Sequence, residues 1–271
     1  MESNINKKSE IAIVDKSVSL EEEKEPEKVN MKAVAGDLLY GALKYIGGSA
    51  LMLFNDLTIN GNENIPLFGK AILTTISKNV MLDMLIISQV SGRKIHFMLH
   101  PKLIKNPVAG PVLKMLGMFR STESKEDIEP VEKVFDYLNK KGDLVAMTPE
   151  AKLTDEVQLK SMAAIIKFAV AADAPIIPIA IYTEQKTLFN IIPSTSLKMK
   201  IGTPINFDKK LNKDKFRDER YKQAAEIIKI IDILRFEGKV RQMGGVLEMS
   251  KFIEQLFNMG KEYLDTLKHK T

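Results

Sequence analysis

The sequence offers few side chains that could move a proton at neutral pH. It contains three histidines, His96, His100 and His269, and no cysteine. The lack of cysteine excludes disulfides, thiolate metal sites and cysteine nucleophiles, and so few histidines argue against a histidine-based metal site. We therefore expect no metal and no cofactor. Any imidazole chemistry therefore has very few candidates.

Several functional classes lack their motifs in this chain. No Gly-x-Gly-x-x-Gly segment follows a predicted strand, and neither a P-loop nor a Gly-x-Ser-x-Gly elbow is present. Aromatic residues make up 7% of the chain and tryptophan is absent, which leaves little material for stacking on single-stranded nucleic acid. The sequence therefore argues against dinucleotide-dependent enzymes, serine hydrolases and nucleic-acid binding.

Six short segments between residues 57 and 207 form a recognisable series. In chain order they are LTINGNENIP, AILTTISKNVMLD, FMLHPKLIKNPVAGPVLKMLG, GDLVAMTPE, APIIPIAI and KMKIGTPI. In order and spacing they resemble the glycerophospholipid acyltransferase family, which includes the PlsC-type lysophosphatidic acid acyltransferases. The resemblance implies transfer of an acyl chain from an acyl thioester to the hydroxyl of a glycerol phosphate or lysophospholipid.

The family's first motif is His-x4-Asp. Its imidazole takes the proton of the acceptor hydroxyl, and its carboxylate orients the ring and stabilises the imidazolium. Asp83 occupies the Asp position, whereas Lys78 stands where the family has histidine. Lysine, with a reference pKa of about 10.4, is protonated at neutral pH and cannot accept a proton. We expect Lys78 to pair with Asp83 rather than to act as the base.

A second replacement lies at His100. Within FMLHPKL the family usually has a lysine at this position, close to the phosphate of the acceptor. Histidine and lysine thus look exchanged between positions 78 and 100. Two hypotheses remain open: His100 has taken over the proton-accepting role, or the exchange has left the site inactive.

The family's arginine positions are also altered. Glu123 stands where the second motif has arginine, and Arg120 lies three residues earlier, either as a substitute after a strand slip or as a surface residue. TPEAKL resembles Phe-Pro-Glu-Gly-Thr-Arg; it retains Glu150 and offers Lys152 one position before the arginine, without the bidentate fork of arginine. The resemblance makes Asp83, His100, Lys78 and Glu150 candidate catalytic residues, and Lys152, Arg120 and Lys102 candidate substrate-binding residues.

Strand and helix patterns alternate between residues 55 and 207. The predicted strands are 57–60, 71–76, 94–99, 144–147, 176–181 and 197–201. The predicted helices are 80–90, 108–116, 126–140 and 160–172. This alternation predicts an α/β fold with a mostly parallel sheet flanked by helices. Two charged helices, 214–236 and 245–268, are predicted to join near Gly238 and the Gly244-Gly245 pair and to form a C-terminal extension over residues 208–271.

The N-terminal region has two parts. Residues 1–30 have a net charge of −3 and the composition of a disordered tail, without a visible signal peptide, while the rest of the chain has a net charge of +8. Residues 31–54 are apolar except for a stripe at Asp37, Gly41, Lys44 and Gly48. This pattern favours either a helix lying in a membrane interface or a helix packed on the domain with its stripe exposed.

Two functions remain open. The first is an acyltransferase of glycerolipid metabolism that takes acyl-CoA or acyl-carrier protein as donor and a lysophospholipid or similar acceptor. The second is a catalytically silent relative that binds acyl lipids or a protein partner. For both we expect a peripheral or monotopic protein on the cytoplasmic side of a membrane, since a basic body suits anionic headgroups.

Overall fold

The structure, a computed structural model, describes residues 30–124, 126–150, 152–188 and 192–240. Within them the strands are β1 (Thr58–Asn60), β2 (Ala71–Thr74), β3 (Ile95–Leu99), β4 (Phe119–Arg120), β5 (Leu144–Met147), β6 (Ile176–Leu188) and β7 (Ile192–Ile201). They form a seven-stranded sheet of order β1-β7-β6-β2-β5-β3-β4. Neighbouring strands are parallel except β6 and β7, which are antiparallel. The predicted mostly parallel sheet is confirmed.

Helices cover both faces of this sheet. They are α1 (Met31–Asn55), α2 (Val80–Ile87), α3 (Pro101–Ile104), α4 (Ala109–Met115), α5 (Glu129–Phe135), α6 (Asp155–Ala172) and α7 (Arg217–Val240). Successive residues of β2 point to opposite faces, so that Leu73 packs in the layer of α1, α2 and α4, and Ile72 packs in the layer of α5, α6 and α7. Both side chains are fully buried, as expected for a parallel sheet covered on both sides.

The sequence predictions differ from the structure mainly at element ends. Strand β4 and helix α3 were not predicted, because two and four residues are too short to show a periodic pattern. Strands β6 and β7 extend beyond their predicted outer ends as an antiparallel pair. The predicted helix end at Phe236 is too early, since α7 continues through Gly238 to Val240, and the Gly244-Gly245 part of the predicted junction lies outside the described residues. The predicted helix 245–268 and almost all of the tail 1–30 lie outside the described residues.

Helix α1 is packed against the sheet layer through small and aromatic residues. Tyr40 and Leu51 of α1 are buried in the core. The hydroxyl of Tyr40 accepts a hydrogen bond of 3.2 Å from the backbone N–H of Ile95. Gly36 lies so close to α4 that a Cβ there would overlap the carbonyl oxygen of Met115. The glycine therefore permits the close approach of the two helices.

The polar stripe of α1 is divided between the domain and solvent. The Lys44 ammonium donates to the carbonyl oxygen of Ser91, and Gly48 packs closely on the domain. Asp37 forms an ion pair of 2.5 Å with Lys94 but is 64% exposed, and Gly41 is exposed. The helix is therefore packed on the domain with part of its stripe exposed. The exposed large hydrophobic residues of α1 are Met31, Val34, Leu38, Leu43, Tyr45 and Ile46. None of the helices in the described part of the chain is long and apolar enough to cross a membrane.

Two glycines of α1 give a matched test of its packing. A Cβ at Gly41 would have open space around it, so Gly41→Ala should gain about 0.5–1 kcal/mol from the better helix propensity of alanine. Gly36→Ala should instead lose stability, because overpacking against backbone costs about 1–3 kcal/mol. Urea unfolding of both variants measures the difference. Equal stability of the two variants would show that α1 does not pack on α4.

Candidate active site

The predicted site residues follow strands that are neighbours in the sheet. Strands β2, β5, β3 and β4 lie side by side and parallel, so their carboxyl ends meet at one edge. Ligands of open α/β sheets bind outside this edge. The seven predicted residues are distributed along it, with Lys78 and Asp83 after β2, Glu150 and Lys152 after β5, His100 and Lys102 after β3, and Arg120 at the end of β4.

The segments that follow β2 and β5 are held together by their backbones. The N–H of Ser77 donates a hydrogen bond of 2.8 Å to the carbonyl oxygen of Pro149. Ser77 and Glu150 form an isolated parallel bridge. Because Lys78 comes directly after Ser77, the structure places the first motif and Glu150 on adjacent segments.

Asp83 is the buried charge of this region, with 7% of its surface exposed. The hydroxyl of Ser77 donates a hydrogen bond of 2.7 Å to Oδ2 of Asp83, and the backbone N–H groups of Lys78 and Asn79 also donate to the carboxylate. Burial raises the pKa of Asp83, and these hydrogen bonds and the positive charge of Arg235 oppose that rise. The carboxylate therefore holds the turn between β2 and α2 in place.

Lys78 does not occupy the position that we expected. Its side chain is exposed, and within the described residues the cation that acts on Asp83 is Arg235 of α7. The predicted ion pair between Lys78 and Asp83 is therefore wrong. The physical reason is that backbone N–H groups and Ser77 already satisfy the buried carboxylate, so that the lysine ammonium can keep its hydration.

His100 is the N-cap residue of α3. Its Nδ1 accepts a hydrogen bond of 3.2 Å from the backbone N–H of Lys102, and its ring is exposed. A neutral ring that accepts at Nδ1 carries its hydrogen on Nε2 and has no free acceptor nitrogen. In this arrangement His100 cannot take a proton from a substrate without breaking the cap.

Arg120 is held by two acidic residues. Its guanidinium donates to both carboxylate oxygens of Asp127, and to Glu129 at 2.8 Å. The hydrogen bond from Arg120 lowers the pKa of Asp127 to about 2. Beside them an ion pair of 2.6 Å joins Lys105 and Glu123. A depression of about 400 Å³ is lined by residues that include Arg120, Asp127, Lys105 and Glu123. The fork of Arg120 is filled by carboxylates rather than open to a ligand.

The remaining candidate cations, Lys102 and Lys152, are exposed at the same edge. Among the described residues, no three His, Asp or Glu side chains cluster as a metal ion would require. The sequence did not indicate Ser77 or Arg235. A serine directly before the motif position could have been noticed as a donor for Asp83, but nothing in a charged amphipathic helix marks one arginine as a neighbour of the site.

Comparison with known proteins bears on this same part of the chain. Residues 56–182 match the family model described as Acyltransferase. This segment is an acyltransferase-family domain. The segment contains β1 to β5, α2 to α6 and all seven predicted site residues. The match confirms the acyltransferase family that the order of the motifs indicated.

The chain is also similar to a solved structure. It is the crystal structure of the 1-acyl-sn-glycerophosphate (LPA) acyltransferase, PlsC, from Thermotoga maritima. The alignment covers 74% of this chain and 84% of that chain, with 17% sequence identity and a TM-score of 0.48. No match is found among curated proteins.

The raised pKa of Asp83 predicts a pH dependence of folding. A carboxyl whose pKa is higher in the folded than in the unfolded protein binds more protons when folded, so stability falls as pH rises above the unfolded value. Asp83→Asn removes this titration. Relative to the variant, the wild type should therefore lose stability as pH rises from the ordinary value of 3.8 upward. Urea unfolding at a series of pH values measures this slope, and a wild type that gains stability over that range would contradict the assignment.

Proposed function

We propose that the protein transfers an acyl chain from an acyl thioester to the hydroxyl of a lysophospholipid-type acceptor. The donor would be acyl-CoA or acyl-carrier protein. The observation that supports this function is the retention of Asp83 and Glu150 at adjoining strand ends within an acyltransferase-family domain. His100 follows β3, which is the next strand beyond β5, so a histidine is available at the same edge.

In the proposed reaction the acceptor oxygen attacks the thioester carbonyl. A new C–O bond forms, the C–S bond breaks, and the thiolate leaves. His100 takes the proton of the hydroxyl and returns it to the thiolate, so that protons and charge balance. For this step the hydrogen must lie on Nδ1 of His100, which breaks the cap on the backbone N–H of Lys102.

The magnitudes favour this use of His100 over its use as a cap. Loss of an N-cap costs about 0.5–2 kcal/mol. A general base contributes about 10²–10⁴-fold in rate, which corresponds to roughly 3–5 kcal/mol. The change of tautomer therefore costs less than the base contributes. Lys78, Lys102 and Lys152 are exposed cations at the same edge and would attract the acceptor phosphate as point charges.

A second candidate function is acyl-lipid or partner binding without transfer. It is favoured by Lys78, which replaces the family's base, and by Arg120, whose guanidinium is occupied by Asp127 and Glu129. Under this hypothesis His100 remains the cap of α3 and the site only binds.

For either function we propose attachment to the cytoplasmic side of a membrane through the outer face of α1. Leu38 and Tyr45 are seven residues apart on one side of α1, and they are 71% and 77% exposed. Val108, which directly precedes the adjoining α4, is 82% exposed. A helix that is packed on a domain and carries apolar residues on its outer face can enter a lipid interface. The +8 net charge of the chain beyond residue 30 would add attraction to anionic lipids.

A transfer assay with labelled acyl-CoA and acyl-carrier protein donors over a panel of lysophospholipid acceptors tests the first function. His100→Ala should reduce transfer by about 10²–10⁴-fold through loss of the base. Lys78→Ala should raise KM for the acceptor more than it lowers kcat. Lys70→Ala serves as the control, because Lys70 lies before the opposite end of β2 and donates to Asn139.

The double variant Lys78→His with His100→Lys separates the two functions. If the wild type is inactive and the double variant transfers acyl chains, the second candidate function holds. Transfer in the wild type that survives His100→Ala would exclude His100 as the base. If all variants are inactive toward every donor and acceptor while the wild type binds acyl lipid, the transferase proposal fails.

Flotation with anionic liposomes tests membrane attachment. The double variant Leu38→Gln with Tyr45→Gln should float several-fold less than the wild type, because it removes two exposed apolar side chains without touching the core. Ile233→Gln is the control, since Ile233 is an exposed hydrophobic residue on the opposite layer, in α7. Equal flotation of the wild type and the double variant would place the attachment elsewhere on the chain.

A further inference from the structure

Arg235 connects the C-terminal helix to the candidate active site. It lies in α7, and its side chain is 17% exposed. Its Nη2 donates a hydrogen bond of 3.2 Å to the carbonyl oxygen of Ile76, directly before Ser77. Its Nη1 forms an ion pair of 3.1 Å with Asp232, one turn earlier in α7. The guanidinium thus reaches the segment that carries the first motif.

The Nε–H of Arg235 is buried and has no hydrogen-bond partner among the described groups. A buried donor without a partner costs free energy, so another interaction must retain the guanidinium at this place. The hydrogen bond to Ile76 and the ion pair with the exposed Asp232 account for the two terminal nitrogens. Ile76 directly precedes Ser77, whose hydroxyl donates to Asp83. The guanidinium therefore lies beside the segment that holds this carboxylate, and its positive charge favours the ionised form of Asp83.

The charged groups around Asp83 can be followed element by element. Helix α2 has no other charged residue. The turn that precedes α2 contributes the exposed Lys78, and the segment after β5 contributes Glu150 through its bridge to Ser77. Helix α7 contributes Arg235 and its partner Asp232. Arg235 is therefore the partly buried cation of this group.

We infer that Arg235 is a positioning residue of the candidate site, whose guanidinium is the counter-charge of Asp83 and fixes the segment that bears Lys78. This role deepens the proposed function, since it concerns the same site. It explains why Lys78 is left exposed, because the buried carboxylate already has a cation. It also makes α7, which lies beyond the family match at residues 56–182, a part of that site.

The direct measurement is an NMR titration of full-length protein labelled at the aspartate carboxyl carbons. Asp83→Asn identifies the Asp83 signal by its loss. Arg235→Gln should raise the pKa of Asp83, because an opposite charge favours the ionised form. Lys78→Gln should raise it less, although Lys78 is much nearer in sequence. Arg235→Lys, which keeps the charge, should restore a value close to that of the wild type.

Arg217→Gln is the matched control for the charge of α7. It removes an exposed arginine from the start of the same helix, roughly 27 Å from Arg235 at 1.5 Å per residue. The pKa of Asp83 should not change in this variant. The inference is overturned if Arg235→Gln leaves that pKa unchanged, or if Lys78→Gln raises it as much as Arg235→Gln does.

A second measurement needs no change at Arg235 and remains decisive if Arg235→Gln does not fold. The buried Nε–H of Arg235 gives an NMR signal that can be followed as pH is lowered. Its shift should change with the same midpoint as the Asp83 carboxyl signal. The measurement is repeated in Asp232→Asn, because Asp232 pairs with Arg235 and its own titration could also shift the Nε–H signal. An Nε–H signal that does not respond to the Asp83 titration overturns the inference. Neither measurement depends on acyl transfer, so failure of this inference and failure of the proposed function are distinguished.

Discussion

A carboxylate buried at the end of a parallel strand must be surrounded by donors, since an ionised oxygen without them costs several kcal/mol. At Asp83 the donors come from Ser77 and from the backbone of the turn that Asp83 itself follows. These hydrogen bonds join the turn between β2 and α2 to the first turn of α2. The bridge between Ser77 and Glu150 then fixes the position of the neighbouring strand end. The arrangement of the candidate site depends on this one satisfied charge.

The exchange of histidine for lysine at position 78 has a clear structural effect. The Lys78 side chain leaves the Asp83 carboxylate to Ser77 and the backbone and extends into solvent. Asp83 is therefore also a structural residue of the turn between β2 and α2.

The sequence was sufficient for the sheet because its central strands are short, apolar and bounded by turns. Strand β5 was predicted with its observed bounds, Leu144–Met147, and the motif order indicated the family. The side-chain contacts of the candidate site were harder to predict from the sequence. Arg235 is 152 residues from Asp83 in the chain, and its place depends on how α7 packs across the opposite face of the sheet. The polar stripe of α1 was seen, but periodicity shows only that two faces differ and not which face meets the protein.

The layered fold gives α1 a consequence for access. Helices α1 and α4 lie in one layer and α5, α6 and α7 in the other, with the sheet between them. Were the α1 layer to rest on a bilayer, lipids diffusing in that bilayer and carriers diffusing in water would approach the molecule from opposite sides. Their routes would meet at the carboxyl edge of β2, β5 and β3, which lies between the two layers. The two substrates of a transfer would then not have to exchange places on a single path.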